Sequence, residues 1–345
     1  MIPDRQEHVM RLHRQAPVID CHNDSLIAVL NGDAHYNPLK HRPPRPRRLW
    51  EHGASGHWDF PRALAAGQSG QVTNLLVPRV KEDPCKSILK AYRQLQLDLA
   101  AAPHMALLAT TAAAVEQARH EGKVAVILTI EGGEGLEGDL DLLHVYHQLG
   151  VRSLGLTWMY RNALAEGNWE DSGAGMTSFG RAVIREMNAL RMLVDVAHAT
   201  EQTFWDALEA SSAPVICSHT SCRSLVKDFH THAVSRYLSD EQMKAIASQG
   251  GVVGIFFSAN RELDDDAADA TDLARFIAHA ATVCGPAHVG LGSDFDGGHP
   301  PHGLEDMRGL PNLTNALIDL GFSDAELVGI LGGNWLRVFR MVWGG

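Results

Sequence analysis

The sequence predicts an α/β fold of the (β/α)8, TIM-type barrel class, and three observations predict it. Eight short runs rich in β-branched residues recur along the 345 residues. Helix-like stretches separate them. Residues able to hold a metal ion follow several of the runs, at the rim where such a barrel assembles its active site.

The runs are 18–21, 72–77, 124–130, 151–157, 192–197, 214–218, 252–257 and 289–293. They are nearly continuously apolar rather than alternating, as strands covered on both faces require. The helical stretches include 87–102, 111–121, 177–190, 200–210 and 239–248. Several open on Ser or Thr at an N-cap position, and Ser239 precedes Gln242 at capping-box spacing. Strand and helix in alternation imply parallel pairing with right-handed crossovers. Eight units close a barrel, whereas a doubly wound open sheet stops nearer five or six strands. No linker divides the chain, so residues 1–345 are expected to form one catalytic domain. The Pro- and His-rich segment 34–61 is expected to be a long loop over the mouth, and 312–320, 323–331 and 334–342 to be closing helices.

Composition narrows the function. A net charge of −11 opposes nonspecific nucleic-acid binding. The basic run 41–48 and the acidic run 264–266 read as solvated loops. Five scattered cysteines (Cys21, Cys85, Cys217, Cys222, Cys284) without CxxC pairs suggest reduced thiols. The charged N-terminal stretch shows no signal peptide, and no run of about 18 apolar residues suggests a membrane span. A cytoplasmic protein without nucleic-acid or membrane partners is the expectation. Nineteen histidines are a high count, and their positions matter.

Read at the strand ends, the first run leads into Asp20-Cys21-His22-Asn23-Asp24, the third ends at Glu131, and the fifth and sixth are followed by His198 and His219. Asp294 follows the eighth, with Asp296 close enough to be the rim residue instead. Imidazole with carboxylate suits zinc, whereas calcium and magnesium prefer oxygen shells. The HxD spacing puts His22 and Asp24 on one side of an extended segment, so both can reach one ion. His198 and His219, on neighbouring strands, can clamp a second, and Glu131 has two oxygens with which to bridge. A lone HxD or strand-end His is commonly structural; five strand ends carrying such residues together point to metal. The run Glu131-Gly132-Gly133-Glu134-Gly135 fits neither GxGxxG nor the P-loop, and its glutamates would repel phosphate. No GxSxG elbow is present.

The motifs IDCHND, TIEGGEGL, LVDVAH, VICSHTSCR and GLGSDFDGG, in this order, closely resemble the renal (membrane) dipeptidase family from about Val18 to Trp335. The resemblance implies an amidohydrolase-like, metal-dependent barrel with two zinc ions per chain. It implies hydrolysis of dipeptides, often with a D-residue in the C-terminal position, by a hydroxide held between the ions. It also makes a homodimer plausible. Carried over, His22 and Asp24 bind one zinc, His198 and His219 the other, with Glu131 bridging. Asp294 meets the substrate amino group and handles the proton, and Arg236, in SRYLSDEQ, grips the substrate carboxylate through its two-pronged guanidinium. Two departures stand out. Where the family has His in an LTH motif, this chain has Trp158, which donates only an indole N–H; oxyanion stabilisation then falls to zinc or to a donor such as Arg161. Residues 226–233 also look like an insertion ahead of Arg236. The same residues fit a binuclear hydrolase of another amide, lactone or ester, or a silent barrel with a binding or accessory role.

Overall fold

Apolar runs with no polar face can only lie between two packed layers, and the eight predicted runs form eight parallel strands of one closed sheet. The structure, a computed structural model, describes residues 3–31, 48–53, 56–75, 83–227 and 234–344. The strands are β1 (Ile19–Asn23), β2 (Gly70–Asn74), β3 (Ala106–Leu108), β4 (Val124–Glu131), β5 (Val151–Gly155), β6 (Leu193–Asp195), β7 (Val215–Thr220), β8 (Val253–Ile255) and β9 (Val289–Leu291). Neighbours run in the order β2-β1-β9-β8-β7-β6-β5-β4, and pairing of β4 back onto β2 closes the barrel. The remaining strand, β3, was not legible in the sequence. Its three residues pair with the first part of β4 from Ala106↔Val124 to Leu108↔Val126, below the part that pairs with β5. The second predicted strand, 72–77, is shifted: β2 starts at Gly70 and ends at Asn74. Residues 76–82 lie outside the described ones, as do 32–47 and 54–55 of the expected 34–61 loop and 228–233 of the expected insertion.

Alternation along β4 sets the inside of the barrel. Val126, Leu128 and Ile130 pack in the large cluster shared with the helices, whereas Ala125 and Ile127 join Ile19, Cys21, Val72, Leu193, Ile216 and Val252 in a second cluster. A period of two then carries Thr129 and Glu131 inward above Ile127, and Asn74 inward above Val72. Thr111, Thr177, Thr200 and Ser239 cap the helices they precede, and Ser239 and Gln242 form the expected capping box. Asp264, Asp265 and Asp266 are exposed, as a solvated loop should be.

The barrel is filled from the end opposite the rim. The predicted helices 323–331 and 334–342 are one kinked unit: Asp324–Val328, a π-turn Gly329–Gly333 and Asn334–Trp343. The kink needs Gly332, where any Cβ would overlap the carbonyl of Pro17, just before β1. From there Trp335 enters the interior cluster fully buried. Its indole Nε1 donates to the Leu291 carbonyl at 3.0 Å. Glycines in β8 and β9 make its space: a Cβ on Gly254 would lie 3.2 Å from the indole, and one on Gly290 would overlap it. Gly290→Ala is therefore expected to destabilise the protein by about 1–3 kcal/mol through overpacking against a rigid ring, read as a lowered urea midpoint with unchanged slope.

Candidate metal centre

Five of the strands bring residues at or just past their ends to one small volume. His22 and Asp24 leave β1, Glu131 ends β4, His198 follows β6, His219 lies in β7 and Asp294 follows β9. All six are buried or nearly so. His198 and Asp294 adopt left-handed backbone, with φ of 63° and 59°. Such conformations cost energy in residues with a Cβ and concentrate at functional sites, where they re-aim a side chain.

The distances separate the cluster into two halves that share Glu131. Its Oε1 lies 3.0 Å from His198 Nε2 and 3.3 Å from His219 Nε2, while its Oε2 lies 3.7 Å from His22 Nε2. His22 Nε2 is also 3.7 Å from Asp24 Oδ1 and from Asp294 Oδ1. The rings of His22 and His219 stack at 3.8 Å between centroids. Of the two aspartates that compete in the sequence for the rim, Asp294 is the one in the cluster. Asp296 instead accepts from the Ser25 hydroxyl and, at 2.8 Å, from the backbone N–H of His57, tying the segment after the long loop to the rim.

The donor set fits a metal ion. Both ring nitrogens of buried His22 lack a hydrogen-bond partner. Three carboxylate oxygens face its Nε2 from beyond hydrogen-bond range, near the ~3.3 Å separation of donors around a tetrahedral ion with bonds of about 2.0–2.1 Å. His198 Nδ1 meets Asn168 Oδ1 at 3.1 Å and His219 Nδ1 meets the Ser218 hydroxyl at 2.8 Å, which turns both Nε2 atoms inward, 3.1 Å apart. Two ring nitrogens at that separation, facing one carboxylate oxygen, call for a proton or a cation between or beside them. Burial opposes charge on His22, yet Glu131, Asp24 and Asp294 together raise it to about 10. Burial pushes Asp294 up to about 7, against the pull of His22 and with Asp24 and Glu131 adding to the rise. Burial also raises Glu131. His219 is held well below its usual range by burial and by the neighbouring positive charges of His22, Arg236 and His198, so it is neutral, the form that ligates.

Three residues that the sequence did not single out hold this cluster in place. Asn74 Nδ2 donates to Asp24 Oδ1 and to Glu131 Oε2, both at 2.9 Å, and its Oδ1 accepts from the Glu131 backbone N–H at 3.1 Å. Asn168 and Ser218 orient the two imidazoles. Asn74 ends β2 and was open to the same strand-end reading, but the predicted strand ran on to residue 77 and hid it. Asn168 lies in an irregular loop and Ser218 within a strand, where neither carries a sequence signal.

Arg236 lies at the edge of the cluster, its Nη1 donating to the His219 carbonyl at 2.9 Å and its guanidinium 4.9 Å from the centroid of the Phe256 ring. Trp158 is buried beyond β5, packed with Ile27. Arg161 is exposed and 3.7 Å from Glu166, on the loop rather than among the ligands. Among the described residues no helix is long and apolar enough to cross a membrane.

An eight-stranded parallel barrel with histidines and carboxylates converging at its C-terminal rim defines the class of metal-dependent barrel hydrolases. Within that class the chain belongs to the membrane dipeptidase family (peptidase family M19), whose model matches residues 6–343. It is thus a metallopeptidase, a hydrolase of the dipeptidase type. Dipeptidase 3 of Mus musculus is 30% identical over 350 residues, covering 99% of this chain and 67% of that one. The solved structure of dipeptidase AC, a metallopeptidase, superposes with a TM-score of 0.83 at 28% identity, covering 96% of this chain and 99% of its own. A metallopeptidase from Rhodobacter sphaeroides, liganded with a phosphinate mimic of the dipeptide L-Ala-D-Ala, gives 0.83 at 26% identity, covering 95% and 99%.

Asn74→Ala removes the amide that pins both carboxylates, and outer-shell losses of this kind weaken metal affinity by about 10–100-fold. Competition with a fluorescent zinc chelator reads that change directly.

Proposed function

We propose that this chain is a binuclear zinc dipeptidase, a single catalytic barrel acting in the cytoplasm on dipeptides, including those with a D-residue second. The observation that carries the binuclear reading is the division of Glu131, one oxygen toward His198 and His219 and the other toward His22. His22 and Asp24 would hold one ion, His198 and His219 the other, and Glu131 would bridge. Bound there, two zinc ions supply Lewis acidity, acidifying a water and polarising the scissile carbonyl. The phosphinate dipeptide mimic held by the Rhodobacter sphaeroides relative supports a substrate with a D-residue in second position. The five free thiols accord with a reducing compartment.

The protein's own groups do the rest. Arg236 pairs with the substrate carboxylate; its fork is already fixed by the His219 carbonyl and the Phe256 ring. Asp294 faces the cluster beside Asp24, where it receives the substrate's amino group. It also takes the proton lost by the attacking water and passes it to the leaving amine. Glu131 is kept in register by Asn74 through the hydrogen bonds to its carboxylate and its backbone N–H. Trp158, in the place of a histidine, contributes an indole face rather than a cation, and so offers no charge of its own to a developing oxyanion. Gripping both ends of the substrate limits cleavage to short peptides.

A panel of dipeptides with L- and D-residues in second position, assayed beside a lactone and a phosphoester on protein of known zinc content, tests this reading. Turnover by metal-free protein overturns it. Glu131→Gln is expected to abolish zinc binding and hydrolysis together, as elemental analysis and the same assay will read. Arg236→Met is expected to raise KM for dipeptides at least ~10-fold, from loss of a charge-assisted bidentate pair, with zinc content unchanged.

A further inference from the structure

Ile27 and Trp158 form an apolar cluster of their own, with Met159 and Tyr160 packed against it, apart from the clusters that fill the barrel and its helical jacket. Ile27 is three residues beyond Asp24, in the helix Ser25–Asn31. Trp158 is three residues beyond the end of β5. Its backbone nitrogen would lie 3.3 Å from a Cβ placed on Gly132, the residue after Glu131. In the barrel order β2 and β4 stand between β1 and β5, so the contact between Ile27 and Trp158 spans the stretch of rim where Asn74 and Glu131 sit.

The apolar surface continues outward as an aromatic ladder. Trp158 meets Tyr160 edge-on at 6.4 Å, and Tyr160 meets Trp169 edge-on at 5.6 Å. Trp169 remains 39% exposed. The loop that carries it is firmly held. The Trp169 N–H donates to the Met159 carbonyl at 2.8 Å, and the Asn168 N–H donates to the His198 carbonyl at 2.9 Å. Gly167 lets the two loop segments touch, because a Cβ there would lie 2.6 Å from the carbonyls of Trp158 and Tyr160. Buried Glu166 accepts from the N–H groups of Ala174 and Gly175 at 2.9 and 3.2 Å. The ladder therefore starts beside the helix of Asp24 and ends one residue from Asn168, which orients His198. Two charged groups of the same loop engage one another's neighbours: Arg161 lies 3.7 Å from Glu166, and the Glu170 carboxylate accepts from the Arg161 backbone N–H at 2.9 Å.

An apolar island cut off from the core and flanking a polar reaction centre has the make-up of a side-chain subsite, and rigid aromatic rings bury large area at low entropic cost. We propose that Ile27, Trp158, Tyr160 and Trp169 form the subsite for a bulky apolar or aromatic side chain of the substrate. This rests on the dipeptidase reading and narrows it to dipeptides that carry such a residue.

The test measures kcat/KM of zinc-loaded enzyme for Ala-Ala, Leu-Ala, Phe-Ala, Ala-Leu, Ala-Phe, Asp-Ala and Lys-Ala. One position is expected to favour Leu or Phe over Ala by ~10-fold or more, as a few added methylenes in an apolar pocket allow. Trp169→Ala, and separately Tyr160→Ala, are expected to cut that ratio at least ~3-fold, mainly through KM, by removing apolar area. Circular dichroism checks that each variant is folded, and either variant alone suffices. Equal kcat/KM across the series, preference for the charged dipeptides, or loss in equal proportion for all substrates overturns the subsite and leaves the dipeptidase reading standing. Absence of turnover for every dipeptide overturns both.

Discussion

Three carboxylates shielded from water around one imidazole form an arrangement that a protein sustains only with positive charge close at hand. His22, with Asp24, Glu131 and Asp294 each 3.7 Å from its Nε2, is that arrangement. The rest of the rim answers to it. Asn74 spends both protons of its amide on the carboxylates, Arg236 brings a cation to the edge, and Asn168 and Ser218 fix which nitrogen of each remaining imidazole looks inward. Repulsion among like charges would spread these side chains apart. The barrel holds them together because the ligand candidates are rooted in five strands of one closed sheet.

Much of this was legible in the sequence because burial on both faces leaves an unusual mark. Eight apolar runs gave the barrel strands, and the polar residues at the ends of five of them gave the rim. The reading failed where that mark is weak. Ala106–Leu108 is too short to register as a strand. The boundary of the second strand was blurred by apolar residues continuing past Asn74, and so the residue that touches two expected ligands was passed over. Asp294 and Asp296 could not be separated by spacing alone; a left-handed backbone at both positions turns one into the cluster and the other toward Ser25 and His57. Torsions of that kind are tertiary in origin and leave no pattern in a single sequence.

Membership of the dipeptidase family sets the chemistry, and the surroundings of the centre set this chain apart. The family resemblance calls for a histidine where Trp158 stands, and the structure packs that indole with Ile27 and Tyr160. In the proposed reading an aromatic face stands there in place of a cation, beside strand ends that carry the expected ligands.

The indole of Trp335 inside the barrel has a consequence for the order of the chain. All the strands precede the helix Asn334–Trp343 in the chain, so the side chain that fills the ring is supplied after every strand that surrounds it. Cys21, Ile127 and Ile216 share their interior cluster with Trp335, Leu336 and Phe339 of that helix. The ring and the helix therefore bury one common apolar interior, at the end away from the ligands.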